Sequence, residues 1–437
     1  MVKEPPVKEP PVNEPPVNEP LTTTVAAEPT PSYDVAIVGG GIAGATLACS
    51  LRNTGLQVVI IEAQPQEQAL QRPRAYALSV LSSRIFAGLG IWEALRSQVA
   101  AFRQIRLSDA DHPGIVQFSP SDLDSADGGA GDLGYVGEHG VICRHLYAAI
   151  DAAENLTWCC PATLKTLTYD DNGALLHIQQ QGQQEGQQRL LRSRLVVGAD
   201  GPNSPLRQRA QITTQGWKYW QSCVTFTIRH QHPSNDTAFE RFWYGGPMGV
   251  LPLPGHRCQI VWTAPHAEAK DLQALPEAEF MGRLQERMGG LLPEIELASQ
   301  RFLFPVQLMQ SDRYAQDRLV LVGDAAHCCH PVGGQGLNLG IRDAAALAEV
   351  LQQAQTQGEE ISAPQVLRRY ERWRKPENWL ILGFTDLLDR LFSSRWLPLV
   401  AIRRLGLWGL ARITPIKRLA LRLMTGLLGR RPHLAQS

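Results

Sequence analysis

The sequence has no long apolar run, no excess of charge of either sign, and no cysteine spacing of the kind that holds a metal or a disulfide framework. Without 18 uncharged apolar residues in a row, no membrane-spanning helix is expected. Lysine plus arginine and aspartate plus glutamate each number 42, so nothing global suggests a nucleic-acid partner. Cys49, Cys143, Cys159, Cys160, Cys223, Cys258, Cys328 and Cys329 include two adjacent pairs but no C-x-x-C, so reduced thiols in a cytosolic compartment are expected, and no metal site. No basic start precedes an apolar stretch, so no secretory signal is expected. The length of 437 residues and the 44% hydrophobic content suit an ordinary globular chain of two or three domains.

What is present begins with proline. Lys-Glu-Pro-Pro-Val and Asn-Glu-Pro-Pro-Val recur across residues 1–32. Such density fixes φ and removes donors, so a disordered tail or spacer is expected there, with docking to a partner as the alternative. Asp34-Val-Ala-Ile-Val-Gly-Gly-Gly-Ile-Ala-Gly44 then reads as strand, glycine turn and helix, and Val58-Val-Ile-Ile-Glu62 as a second strand ending in a carboxylate. This is a βαβ dinucleotide pattern. Gly39 allows the tight turn, Gly41 lets the backbone approach a pyrophosphate, and Gly44 lets the helix lie close on the strand. The helix N-terminus offers free amides to the phosphates. Glu62, 21 residues past Gly41, suits a ribose hydroxyl and would repel a 2′-phosphate, favouring FAD or NAD over NADP.

Further along, residues around Ser82–Trp92 and Val141–Asn155 suggest helices. Strands are expected at Ile105–Leu107, Ile115–Phe118, Leu164–Ile178 and Gln188–Gly198, with a loop at Asp122–Asp132 and a Gln/Gly-rich hairpin tip at Gln179–Gln188. From Trp217 to Pro265 the texture becomes strand-rich and aromatic, which suggests an antiparallel sheet, and from Arg318 it returns to a strand, a glycine turn and an alanine-rich helix at Leu339–Leu351. The expected fold class is α/β with a discontinuous Rossmann-like cofactor domain (33–206 and 302–360), in which 79–135 contributes partly to the substrate side. A mostly antiparallel sheet domain (207–301) is inserted, and a helical region follows (361–437).

Two more strand ends carry polar chemistry. Leu195-Val-Val-Gly-Ala-Asp200-Gly ends in Asp-Gly, and Arg318-Leu-Val-Leu-Val-Gly323-Asp324 ends in Gly-Asp. Strand C-termini form the ligand crevice of such sheets. Asp324 could bind a polyol chain, and the turn Gly333-Gly334-Gln335-Gly336 could aim amides at a group that becomes anionic, as a reduced flavin does. Pro331 stiffens the approach.

These residues carry a resemblance. With Arg74-Ala-Tyr-Ala-Leu78, Gly323-Asp-Ala-Ala-His327, His330-Pro331, Gly334-Gln-Gly-Leu-Asn-Leu-Gly340, Arg342-Asp343, Arg369-Tyr-Glu-Arg372, Thr385-Asp386 and Arg390-Leu-Phe392, the chain from about Tyr33 to Phe392 resembles single-component flavoprotein monooxygenases of the p-hydroxybenzoate hydroxylase fold. Within them it resembles the ubiquinone-biosynthesis hydroxylases. The resemblance implies bound FAD held at Gly39, Gly41, Gly44, Glu62, Arg74, Arg144, Asp200, Gly323, Asp324, Pro331, Gly333, Gly334, Gln335, Gly336, Leu337 and Asn338. His139-Gly140, Cys143 and Val332-Gly333 depart from the family's usual residues, near the FAD linker and the substrate face.

The resemblance further implies reduction by transiently bound NAD(P)H, reaction with O₂, and transfer of one oxygen atom to an aromatic ring, such as a polyprenylated phenol of ubiquinone- or plastoquinone-type quinone biosynthesis. The absence of a second glycine fingerprint is consistent with transient NAD(P)H binding. His327, His330 and Pro331 are the candidates near the chemistry, although either histidine could equally be structural. Trp217, Tyr219, Trp220, Phe242, Trp243 and Tyr244 could line a substrate pocket or form core. A flavin-dependent reductase of an isoprenoid and a flavin-binding adaptor at a membrane remain alternatives.

The tail from Arg395 has nine Lys or Arg and no Asp or Glu. At 100° per residue Ile416, Leu419, Leu423 and Leu427 share one face, opposite Lys417, Arg418 and Arg422. Such a helix can rest on the inner, cytosolic face of an anionic membrane, or pack on the body with its basic side solvated.

Overall fold

The computed structural model describes residues 30–109, 115–123, 131–180, 188–394 and 396–436. The expectations for the Pro-rich segment, for most of the loop at 122–132 and for the hairpin tip at 179–188 fall outside these residues.

Val58–Ile61 is wholly buried on both faces, as an uninterrupted apolar strand in a parallel sheet must be. It pairs in parallel with Ser32–Val38 on one side and Leu156–Cys159 on the other. Ser32–Val38 pairs in parallel with Gln188–Gly198, which pairs in parallel with Leu319–Leu321. Thus the three motif-bearing strands, ending at Gly39, Asp200 and Asp324, lie side by side and point the same way. The helices Ile42–Leu51 and Gln335–Thr356 pack against each other on this sheet, and His139–Asp151 packs on the first of them.

Leu164–Ile178 is two strands rather than one. Asp170 Oδ1 accepts a hydrogen bond from the Asn172 amide at 2.9 Å, and the chain reverses there to join Ala162–Asp170 and Gly173–Gln180 antiparallel. The helix expected at Leu339–Leu351 is longer, beginning within the glycine turn at Gln335 and running to Thr356.

The second sheet has the order His327–Cys328, Phe302–Ser311, Thr214–Arg229, Arg257–Pro265, Met248–Leu253, Thr237–Phe242, Gln104–Asp109, Ile115–Phe118, with Glu296–Leu297 beside Thr214–Arg229. Its pairings are antiparallel except for Thr237–Phe242 with Gln104–Asp109. The boundary at 302 is therefore corrected: Phe302–Ser311 pairs along Thr214–Arg229 from Thr214↔Ser311 to Thr225↔Phe302, so this sheet runs on past 301.

The tail is docked. The helices Leu397–Arg412 and Thr414–Met424 send Leu407 and Leu421 into one apolar cluster with Phe102, Ile105, Phe118 and Phe242 of the sheet side. A buried ion pair from Arg403 Nε to Asp109 Oδ2, at 2.8 Å, fixes the first of these helices to the end of the strand Gln104–Asp109 in the second sheet. No helix among the described residues is long and apolar enough to cross a membrane.

Candidate active site

The βαβ turn is shaped by sterics. Gly39 has φ +109°, and a Cβ there would lie 2.3 Å from the Ala199 carbonyl oxygen. A Cβ on Gly44 would lie 1.9 Å from Gly39 O, so only glycine lets the helix approach the strand this closely. Gly41 is different: a Cβ there would meet nothing within 4 Å, because its backbone opens onto a cavity. Glu62 ends the second strand beside it. Its Oε2 accepts the Gly40 amide at 2.7 Å and its Oε1 the Gln64 amide at 2.9 Å, which orients the carboxylate at the cavity wall.

One cavity of about 1370 Å³ connects all three strand ends. It runs from Gly41 and Glu62 past Arg74, Asp200 and Asp324 to Pro331–Leu337, and on to the inner face of the second sheet. Small-molecule sites are typically ~300–1,000 Å³, so there is room for a dinucleotide and a second ligand together. Arg74 stacks over the Phe304 ring at 4.4 Å from its centroid, which holds the guanidinium at the middle of the groove. Asp324 faces open cavity space yet lies deep in the protein. Burial raises its carboxyl above the ordinary range, against the pull of His327 and Arg74. Asp200 Oδ2 accepts the Leu206 amide at 3.1 Å, whereas its buried Oδ1 has no hydrogen-bond partner among the described residues. Gly333 and Gly334 take left-handed φ values of +69° and +61°, so the turn at the head of the long helix is built for glycine.

Gly39, Gly41, Glu62, Arg74, Asp200, Gly323, Asp324, Pro331, Gly333, Gly334, Gln335, Gly336 and Leu337 line this cavity; Gly44, Arg144 and Asn338 do not. Gly44 serves packing alone. Arg144 stands exposed on the helix His139–Asp151. Asn338 is buried and works as a clamp: its Nδ2 donates to Ala77 O and Gly334 O, both at 2.8 Å, and its Oδ1 accepts from the Ser79 amide at 2.8 Å and Ser82 Oγ at 2.7 Å. It thereby fixes the glycine turn against the strand Ala75–Ser79.

Of the three candidates near the chemistry, only Pro331 lines the cavity. His327 is buried against Asp343. His330 is buried with its Nε2 at 3.3 Å from Gln221 Oε1 and 3.5 Å from Asp389 Oδ1, and burial pushes its pKa down to about 3, so the ring stays neutral. The aromatic expectation is likewise corrected. Phe242 lines the cavity, whereas Trp217, Trp220 and Tyr244 are exposed. Tyr219 donates to Asp386 Oδ1 at 2.6 Å, and Trp243 stacks beneath Arg287.

The sheet face that does line the cavity was not singled out from sequence. Thr225, Glu240, Gln259, Thr263 and Gln307 are polar groups of this sheet that line the cavity, set among Leu107, Val261, Leu251 and Phe242. Alternation along each strand was the available signal, but which of the two faces met the cavity depended on pairing distant in sequence. At its far end the cavity is apolar, walled by Phe118, Phe392, Leu407, Leu410, Leu419 and Leu423. The apolar face of Thr414–Met424 is thus turned to the cavity; Leu427, expected on that face, lies beyond the helix and is buried.

The donor set fits a flavin dinucleotide. An unhindered Gly41 backbone, a Glu62 carboxylate at the cavity wall, an unpaired Asp200 oxygen and an Asp324 open to the groove follow one another along a single channel. A family model described as FAD binding domain matches residues 32–385. A protein of Synechocystis sp. is 57% identical, over 94% of this chain and 98% of its own length. The ubiquinone hydroxylase UbiL of Rhodospirillum rubrum is 36% identical, over 90% of each chain. The crystal structure of p-nitrophenol 4-monooxygenase PnpA from Pseudomonas putida superposes with a TM-score of 0.77 over 92% of this chain and 100% of that one, at 19% identity, a likeness of fold alone. The chain belongs to the FAD binding domain family, and it is an FAD-dependent monooxygenase.

Proposed function

We propose that this chain hydroxylates the aromatic ring of a polyprenylated phenol in ubiquinone- or plastoquinone-type quinone biosynthesis, using NAD(P)H and O₂, at the inner, cytosolic face of a membrane. The observation that carries this reading is the two-part cavity. A polar groove from Glu62 to Gly336 continues into an apolar arm walled by the tail helices. Such an arm suits an isoprenoid chain, while the ring is held at the junction.

Bound FAD supplies the redox chemistry and the activated oxygen atom. The chain's own residues do the rest. Glu62 holds the adenosine ribose, Gly41 and the helix start receive the pyrophosphate, Arg74 steadies the linker, and Asp200 and Asp324 accept hydrogen bonds from the cofactor's hydroxyls. The 333–336 turn, at the head of the long helix, borders the ring system whose charge changes on reduction. Phe118, Phe392 and the tail helices keep water from the junction.

The membrane reading is supported by the outer side of the tail. Trp396, Leu397, Ile402, Leu405 and Trp408 are all more than half exposed. At 100° per residue the last four fall on one face of Leu397–Arg412, alongside Arg404 and Arg412. An apolar face with flanking arginines suits an anionic bilayer surface. Eight free cysteines accord with a reducing compartment.

Incubating the holoenzyme with NAD(P)H, a short-chain 2-prenylphenol and isotopically labelled O₂ tests the reaction. The label enters the ring of the product. Reduction of a prenyl double bond without label would replace the hydroxylase by an isoprenoid reductase, and NAD(P)H oxidation fixed at background would favour a binding protein.

A further inference from the structure

On the cavity side of the second sheet one row of cross-strand neighbours runs Leu107, Glu240, Gly249, Val261, Thr225. Directly paired residues share a face, and all five line the cavity. Glu240 is the one ionisable group in this row. Its Oε2 accepts the Gly333 amide at 3.4 Å, so it stands beside the turn that faces the flavin ring. The position opposite it on the next strand is Gly249, whose missing Cβ would lie 3.7 Å from that same oxygen. The glycine leaves a flat floor beside the carboxylate. Thr225 closes the row, and its buried Oγ1 has no hydrogen-bond partner among the described residues.

We propose that Glu240 is the catalytic base that accepts the proton of the substrate's phenol hydroxyl, with the ring lying over Gly249 and Val261. The proposal rests on the hydroxylase reading above. The phenol O–H bond breaks, its proton passes to a Glu240 carboxylate oxygen, and the electron pair stays on the phenol oxygen. That pair is delivered through the ring to the carbon that bonds the oxygen atom supplied by the monooxygenase reaction. When the hydrogen on that carbon passes as a proton to solvent water and the ring becomes aromatic again, Glu240 returns its proton to the phenol oxygen. The substrate gains one oxygen atom, and Glu240 ends as it began.

The electrostatics suit the task. Burial pushes the Glu240 carboxyl up to about 7, and the Gly333 amide acts the other way. The flanking strands present Leu107 and Gly249 to it, and no charged side chain among the described residues shifts it. A carboxylate with a raised pKa is a stronger base toward a phenol than an ordinary surface carboxylate, and roughly half of it is still ionised near neutrality.

The test compares wild type with Glu240→Gln and Glu240→Asp as FAD-loaded enzymes, using 2-geranylphenol and a more acidic ring-fluorinated analogue in single-turnover hydroxylation. Wild-type rates rise with pH through about 7. Glu240→Gln loses this limb and falls roughly 10²–10⁴-fold on 2-geranylphenol, the usual value of a positioned base, with a smaller loss on the acidic analogue. Glu240→Asp keeps the limb at a reduced rate, and serves alone if the Gln variant does not fold. A Gln variant that keeps the pH limb, or loses the same factor on both phenols, overturns the assignment, as does an Asp variant without the limb. If wild type oxygenates neither phenol, the hydroxylase reading itself fails.

Discussion

His327 and Asp343 meet at 2.5 Å, Nε2 to Oδ2, with both side chains buried. The same carboxylate oxygen accepts the Gly323 amide at 3.1 Å, and Oδ1 accepts Arg374 Nε at 2.8 Å and Asn378 Nδ2 at 3.0 Å. Asp343 therefore ties the strand end that presents Asp324 to two long helices, Gln335–Thr356 and Pro364–Phe392. This accounts for a histidine in the Gly-Asp motif that does not reach the cavity.

Replacing Arg374 by Met leaves the Asp343 charge under-compensated in the interior. Removing one partner of a buried pair costs about 3–5 kcal/mol. The expected result is a clearly lower midpoint of urea unfolding, with weaker FAD retention because Asp324 is no longer held. Burial alone would raise the Asp343 carboxyl, but the His327 and Arg374 charges more than offset it and hold it well below the usual range. Its contribution to stability is therefore complete above the unfolded-state value, roughly pH 4, and is lost as pH falls through the lower folded-state value. Unfolding midpoints followed across acidic pH in wild type and Arg374→Met check this: the difference between them is widest above about pH 4 and narrows below it.

Gly41 and Gly44 separate cofactor binding from folding. Gly41 has ordinary extended dihedrals, φ −64° and ψ 178°, and space around its missing Cβ. Gly41→Val is expected to leave the unfolding free energy of the FAD-free protein within about 0.5 kcal/mol of wild type, as for a change that touches nothing, while FAD binding is lost. Gly44→Ala drives a methyl to within 1.9 Å of Gly39 O and is expected to destabilise the FAD-free protein itself. Thermal unfolding with and without FAD distinguishes the two.

Much of this site was legible locally. The turn chemistry at Gly39, Gly41 and Gly44, the carboxylate at Glu62 and the strand ends at Asp200 and Asp324 are all written within short windows, because a βαβ unit folds from neighbours in sequence. The rest depended on contacts that no window contains. Glu240 meets Gly333 across 93 residues, and Asn338 meets Ser79 across 259. The two motif histidines were open to a chemical or a structural reading because the residues that bury them, Asp343 for one and Gln221 with Asp389 for the other, come from elsewhere. The amphipathic tail was readable as a helix with an apolar face, but periodicity cannot say whether lipid or cavity covers that face. In the structure the face of Thr414–Met424 turns to the cavity, and the preceding helix carries the exposed apolar residues.

For the membrane, substitution is more informative than truncation, because Leu419 and Leu423 wall the cavity and Gln335 Nε2 bonds to Met424 O at 3.1 Å. Leu405→Glu combined with Trp408→Glu alters two side chains that face outward. Each apolar group removed from a bilayer costs roughly 1.5–3 kcal/mol, so flotation with anionic vesicles is expected to fall by well over tenfold while the FAD spectrum is unchanged. Flotation equal to wild type would remove this helix as the contact.

A single FAD is expected to occupy the channel that runs from Glu62 to the 333–336 turn. The most direct measurement is the visible absorption of purified protein given FAD and dialysed, for wild type, Glu62→Ala and Asp324→Ala. Wild type is expected to keep flavin bands at one FAD per chain. Each variant gives up hydrogen bonds to a charged group, about 1.5–3 kcal/mol, which weakens affinity roughly ten- to hundredfold. A wild-type protein that stays colourless after dialysis, or two variants that hold FAD as tightly as wild type, would contradict the account.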